Sequence, residues 1–197
     1  EGFRERIEAM FPTMIEHRCS EGVRGGFFSR IERGTWMGHV IEHIALEIQT
    51  LAGMETGFGR TRETKTPGIY NVVFSYTEES VGMFAAESSV AIAEALIAGT
   101  DYDVEADIQK MREIRERVRL GPSTGSIVDE AVARDIPWIR LGTNSLVQLG
   151  YGVNQMRFQA TITCKTSNIA VDIACNKEET KRMLDLASIP VASGSIC

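Results

Sequence analysis

The stretch His39-Val40-Ile41-Glu42-His43 sets two imidazoles four positions apart, with a carboxylate just before the second. On an α-helix, residues four apart share a face, so both rings can reach one cation. A neighbouring glutamate can then act as general base toward water. At about 100° per residue, His39 and His43 lie within about 40° of each other, with Glu42 about 60° to one side of His39.

Zinc needs a third protein ligand. The candidates are Glu78 and Glu79 in a later segment, Glu47 two turns along the same helix, and His17. The order His-x-x-Glu-His is that of the inverted zinc peptidases. Their third ligand comes from a later segment, which favours Glu79 or Glu78, with Glu47 next. A plain polar helix face accounts for the same five residues without any metal.

Other groupings carry less. Gly57-x-Gly59 with Arg60, Arg62 and Lys65 can form an anion-binding loop, and a solvated turn explains it equally well. Pro122-Ser123-Thr124 at a helix start suits an anion, but capping alone accounts for it. Gly150-Tyr151-Gly152 reads as a hairpin connection. Cys19 sits near His17 without an evident third catalytic partner and reads as a buried thiol.

These residues must be held by regular elements. Met37, Val40, Ile41, Ile44, Ile48 and Leu51 recur at helical spacing, with Thr35 as expected cap and Gly53 as the terminating residue. Their apolar stripe lies opposite the histidines, which therefore face either solvent or a second cleft. Residues 3–10 and 26–33 also read as helical. The segment 57–68 reads as a loop and Ile69–Tyr76 as a strand. Thr77 is the expected cap of a helix from Glu78 to Ala98, and a charged helix follows from Val104 to Leu120. Ser123 or Thr124 caps a helix to Arg134. Strands are expected at 138–141, 146–149 and 156–163, helices at 169–175 and 177–187, and a strand from Ile189. This mixture lacks regular βα alternation. It predicts an α+β fold through about residue 160, with helices packed on a small, mostly antiparallel sheet.

Composition narrows the function classes. The 197 residues carry 27 acidic and 21 basic side chains, a net charge of -6, which disfavours nucleic acid as the main partner. Hydrophobic residues make up 43% and charged ones 24%, as in globular proteins. No apolar run approaches the roughly 18 residues of a membrane span. Cys19, Cys164, Cys175 and Cys197 are scattered and read as reduced thiols of a cytoplasmic protein. The chain begins without Met and stops at Cys197, so it is expected to continue at both ends.

Several phrases together resemble the amino-terminal part of the cyanophycin synthetase family. They are Glu16–Ser20, Gly25–Phe27, Gly34–His43, Leu51–Met54, Gly57–Arg62, Val72–Tyr76, Leu120–Thr124, Ser145–Gly152 and Lys177–Lys181. The later ones are also similar to the ligase half of two-domain glutathione synthetases. The resemblance implies an amino-terminal domain over 1–163 and the opening of an ATP-grasp domain over 164–197, with a Mur-ligase-like domain further on. Asn176 departs from the Asp often found before Lys-x-x-Thr-Lys at that opening. The implied enzyme is an ATP- and Mg²⁺-dependent ligase that joins aspartate and arginine into the cyanophycin polymer, a nitrogen store. Its ATP site would lie beyond Cys197, and the full-length protein would be a homo-oligomer without nucleic-acid or membrane partners. In this chain the resemblance implies a segment that binds and guides the polymer, with Arg60 and Arg62 as substrate-binding residues. The alternatives are a hydrolytic domain that cuts polymer into primers, with zinc on His39 and His43 and Glu42 as catalytic base, or a purely structural docking domain.

Overall fold

Residues 1–119 and 120–197 fold onto themselves as separate units. The computed structural model describes residues 2–19 and 22–194, so Ser20 and Cys197 lie outside the described residues.

The first unit runs through α1 (Phe3–Met10), a 3-10 turn (Pro12–Glu16), α2 (Gly26–Arg33) and α3 (Met37–Leu51). It continues with β1 (Gly59–Glu63), β2 (Tyr70–Phe74), α4 (Glu79–Ala98) and α5 (Val104–Val118). Helix α3 is the centre, packing against α4, α5 and both strands. Its stripe of Val40, Ile44 and Ile48 joins Ile7, Phe11, Phe27, Val81, Ile92, Leu96 and Met111 in one apolar core. Unlike an ordinary amphipathic helix, α3 also buries its polar side: Glu42, His43, Glu47 and Gln49 are each at most 8% exposed.

The expected loop at 57–68 is half strand. Gly59–Glu63 pairs antiparallel with Tyr70–Phe74, Gly59 opposite Phe74 and Glu63 opposite Tyr70. The sequence Gly-Arg-Thr-Arg-Glu has no apolar residue to announce a strand. It is held by β2 and by close approach to α3, where a Cβ on Gly38 would meet Thr61 at 3.0 Å and Val72 at 3.1 Å.

The second unit contains α6 (Pro122–Ala133), β3 (Trp138–Arg140), β4 (Leu146–Leu149), β5 (Met156–Gln159), β6 (Ile162–Thr163), α7 (Asn168–Cys175) and α8 (Lys177–Leu186). Its strands form an antiparallel meander in sequence order, over a small core of Val128, Val147 and Phe158. The fold class is α+β, with two small antiparallel sheets instead of the single sheet expected. The expected strand 156–163 is split because Ala160, at φ 54°, turns the chain back. Residues 189–191 form no strand. The composition shift at 165–167 falls between β6 and α7. Asn176 caps α8, accepting from the amides of Glu178 and Glu179 at 3.1 Å each, a role Asp fills equally well.

Three expected caps are displaced. Thr35 stands one residue too early, Trp36 occupies the cap position of α3, and the Thr35 hydroxyl engages His39 instead. Glu78 replaces Thr77 at α4. Pro122 takes the first position of α6, which makes Gly121 the cap and leaves Ser123 and Thr124 inside the helix. Contrary to expectation, α4, with 20 residues, is long and apolar enough to cross a membrane. Half of it is buried inside its unit, as in a core helix.

Candidate metal centre

A cavity of about 960 Å³ opens in the first unit beside α3, between the 3-10 turn, α2 and the β1–β2 hairpin. All three histidines of the chain line it. His39 and His43, one turn apart, have ring centroids 4.6 Å apart. The ring of Phe27, from α2, lies 4.4 Å from that of His43.

The third donor at this pair is Cys19. Its Sγ lies 3.1 Å from His39 Nε2, and the donor atoms of Cys19, His39 and His43 all fall within 4.8 Å of one another. Zinc bond lengths imply ligand atoms about 3.3–3.7 Å apart around a tetrahedral ion, so small inward shifts suffice. One thiolate and two imidazoles are zinc donors, and three protein ligands leave the fourth position open, as in catalytic sites. The donor set fits the metal. Cys19 sits in the left-handed region at φ 49°, an uncommon backbone state for a residue other than glycine that aims its side chain toward α3.

Around the donors is a layer of orienting bonds. Thr35 Oγ1 lies 3.0 Å from His39 Nδ1, leaving Nε2 toward Cys19. His43 Nδ1 lies 2.8 Å from His17 Nδ1, and His17 Nε2 lies 2.7 Å from Glu47 Oε2. Thr13 donates to the other oxygen of Glu47. Burial lowers the His43 pKa to about 3, helped by the neighbouring His39 and His17. Burial, with the charge of Arg30, lowers that of His39. Both rings are therefore neutral, as ligation requires. Burial pushes Glu47 upward, but its bonds from His17 and Thr13, joined by the charge of His17 when that ring is protonated, outweigh this and hold it below the usual range.

The ionised Glu47 accepts from His17 Nε2–H. When His17 carries a single ring proton, its Nδ1 has only a lone pair, and His43 Nδ1–H is the donor of the bond between the two rings. This tautomer leaves the Nε2 lone pair of His43 for a cation.

Glu42 lines the same cavity and accepts from Thr61 Oγ1 at 2.7 Å. Burial raises its pKa, against the Thr61 bond. Gly59 gives it room: a Cβ there would meet Glu42 atoms at 2.5–2.8 Å.

The structure thus brings His39, His43 and Glu42 together, with Arg60 and Arg62 exposed at the cavity's edge. It does not bring Glu78 or Glu79 there. The chain turns at Tyr76, whose ring packs on Gly82 in α4, and the two glutamates stay outside the lining, with Glu79 exposed. Glu47 is in the cavity but is engaged by His17 and Thr13. The residues missed from sequence are Cys19 as donor, His17 as a partner of a ligand, and Thr35 and Thr61. A usable signal was present: in a chain with only three histidines, His17 lies two residues from a cysteine.

Residues 1–98 match the model of the cyanophycin synthase-like N-terminal domain. The chain is 48% identical to a cyanophycin synthetase of Synechocystis over 98% of its own length and 23% of that protein. It is 48% identical to one of Geminocystis herdmanii, over 99% of the chain and 23% of that protein. A third, from Crocosphaera subtropica, is 46% identical over 98% of the chain. The chain therefore spans about a quarter of the length of these relatives. Over residues 1–98, it belongs to the cyanophycin synthase-like N-terminal domain family.

Proposed function

We propose that the cavity of the first unit is a zinc-dependent hydrolytic site that cleaves a peptide-like polymer, within a ligase that makes that polymer. The observation that carries this is the convergence of Cys19, His39 and His43 in a cavity that also holds Glu42. Zinc, when bound, supplies Lewis acidity to a carbonyl and to water. The residues supply the rest. His39 and His43 hold neutral lone pairs toward the ion, and Phe27 shields His43 from solvent. Glu42 takes a proton from the attacking water as the carbonyl carbon gains the hydroxyl. It returns that proton to the leaving nitrogen as the C–N bond breaks. A raised pKa suits a group that both accepts and donates a proton in one cycle.

The proposal extends to the whole protein, and the relatives' name, cyanophycin synthetase, supports its ligase part. The whole protein is an ATP- and Mg²⁺-dependent ligase of the cytoplasm, acting on aspartate, arginine and the growing cyanophycin, and assembling as a homo-oligomer. Its ATP-grasp portion opens near residue 164 and its ATP site follows Cys197. A second reading, that the first unit binds and guides the polymer, is favoured by Arg60 and Arg62 at the cavity edge. The two are separated by Glu42→Gln. Hydrolysis predicts that polymer cleavage is lost while one zinc per chain is retained. Cleavage that survives removes Glu42 from the mechanism, and a metal-free protein that binds polymer leaves only the guiding role.

A further inference from the structure

The cavity holds more positive than negative charge once its pairs are assigned. Glu16 is tied to Arg24 at 2.7 Å, while Glu47, hydrogen-bonded to His17, and Glu42 are the remaining carboxylates against four arginines. Arg18, Arg30, Arg60 and Arg62 line the cavity, and none has an ion-pair partner among the described residues. Arg30 differs from the other three. It is half-buried, and its Nε is sealed from solvent with no hydrogen-bond partner. It lies one turn after Phe27 on α2, so it shares the face whose ring covers His43. Its charge reaches His39.

A buried guanidinium N–H without an acceptor is uncommon and calls for an explanation. Arg24 and Arg182 on this chain's surface show the usual outcome, a carboxylate within reach. At Arg30 no protein carboxylate fills the position. The fork of a guanidinium matches a carboxylate in two parallel bonds, which gives orientation as well as attraction.

The geometry points to Arg30 as the seat of a substrate carboxylate beside the metal donors, so that the site takes peptide chains bearing free carboxylates. The inference rests on the hydrolytic reading for the word substrate, but the anion seat itself requires no metal. Arg18, Arg60 and Arg62 extend the same preference outward along the edge. Seated on Arg30, a chain is anchored next to His39, and its nearby carbonyl is delivered to the side of the cavity where Glu42 stands.

The test uses the full chain carrying Glu42→Gln, so that binding is read without cleavage. Two probes are titrated calorimetrically, N-acetyl tetra-aspartate and N-acetyl tetra-asparagine amide, each with zinc added and in EDTA. The expected result is at least a tenfold preference for the aspartate peptide in both conditions. Arg30→Gln should cut that preference to within about threefold, and Arg30→Lys should keep part of it. Equal affinities for the two peptides overturn the inference, as does the absence of binding to either. A preference that Arg30→Gln leaves intact, or one that appears only with zinc, also overturns it, because the seat would then lie elsewhere. If Arg30→Gln does not fold, the peptide ratio in EDTA and the Arg30→Lys protein still decide. A chain that takes up no zinc yet keeps the preference refutes the hydrolytic reading alone.

Discussion

Replacing Glu47 by glutamine tests the link between a residue that touches no metal and the metal site itself. Glu47 is 3% exposed and its two oxygens are engaged by Thr13 and His17. As a carboxylate it can only accept, which fixes a proton of His17 on Nε2 and, with His17 carrying that one proton, places the proton of His43 on Nδ1. Glutamine presents an amide N–H to His17 Nε2 when Thr13 keeps its donation to the amide oxygen. His17 must then carry its proton on Nδ1 and donate to His43 Nδ1. That forces the His43 proton onto Nε2, the nitrogen needed for zinc. Loss of such an orienting partner costs about 10- to 100-fold in metal affinity, or about 1.4–2.7 kcal/mol. Losing one charge-assisted bond lowers the stability of the metal-free chain by a further 1.5–3 kcal/mol or so. The two effects are read separately, by competition with a chromophoric chelator and by denaturant unfolding in EDTA. Nitrogen chemical shifts of His43 report the tautomer directly. Zinc affinity within about twofold of the unaltered chain, or a His43 proton still on Nδ1, would refute the relay.

Gly59→Ala places a methyl group where Glu42 now sits, and a displacement of about 1 Å costs up to about 100-fold in rate. Cleavage should fall at least tenfold, with zinc affinity changed by less than threefold; equal losses in both would mean that the hairpin itself has moved. For pH, the folded value of His43 is depressed from 6.5 to about 3. The unfolded chain therefore takes up the proton first, and stability is full above about pH 6.5 and declines toward pH 3. This amounts to about 2 kcal/mol between pH 7 and pH 5 in the metal-free chain. A melting temperature flat over that interval contradicts a buried neutral His43. Glu47 adds a loss of the same sign below the ordinary glutamate range, because its carboxylate is stabilised in the fold. Glu42 acts oppositely: its raised value puts the acid limb of cleavage above pH 4.5.

The helices were legible where one face is apolar. Periodicity located α3 to within a residue at its start, and Gly53, with φ 86°, closes it as expected. Strand β1 was not legible, because its residues point either at a helix through Thr61 and Gly59 or to solvent through Arg60 and Arg62, leaving no hydrophobic alternation to find. The His pair and Glu42 were legible because helical spacing is local. The third donor was not, because Cys19 reaches His39 through a left-handed turn between a 3-10 segment and α2, and no sequence period describes that path. The preference for Glu78 or Glu79 failed for a similar reason. It relied on motif order, whereas the packing of Tyr76 on Gly82 decides where α4 begins.

Whether the polar side of α3 is only a well-satisfied helix face turns on what its bonds leave over. Burying Glu42, His43, Glu47 and Gln49 without partners would cost several kcal/mol, comparable to the whole stability of a small domain. The chain meets most of that demand with Thr61 for Glu42, His17 for His43, Thr13 and His17 for Glu47, and the carbonyls of Ala45 and Ser75 for the Gln49 NH2 group, whose Oε1 alone is left without a partner. A face built for stability alone would end there and close over itself. This one remains beside a 960 Å³ cavity. It directs the second nitrogen of His43 away from every bond just named, and the cavity contains an Arg30 Nε with no acceptor. It also holds Glu42 against a glycine that keeps space for the carboxyl group. Stability explains the bonds that are made. The lone pair of His43 and the space at Gly59 are what a site leaves ready for a ligand, and the bonds from Glu47 through His17 hold the His43 ring in place.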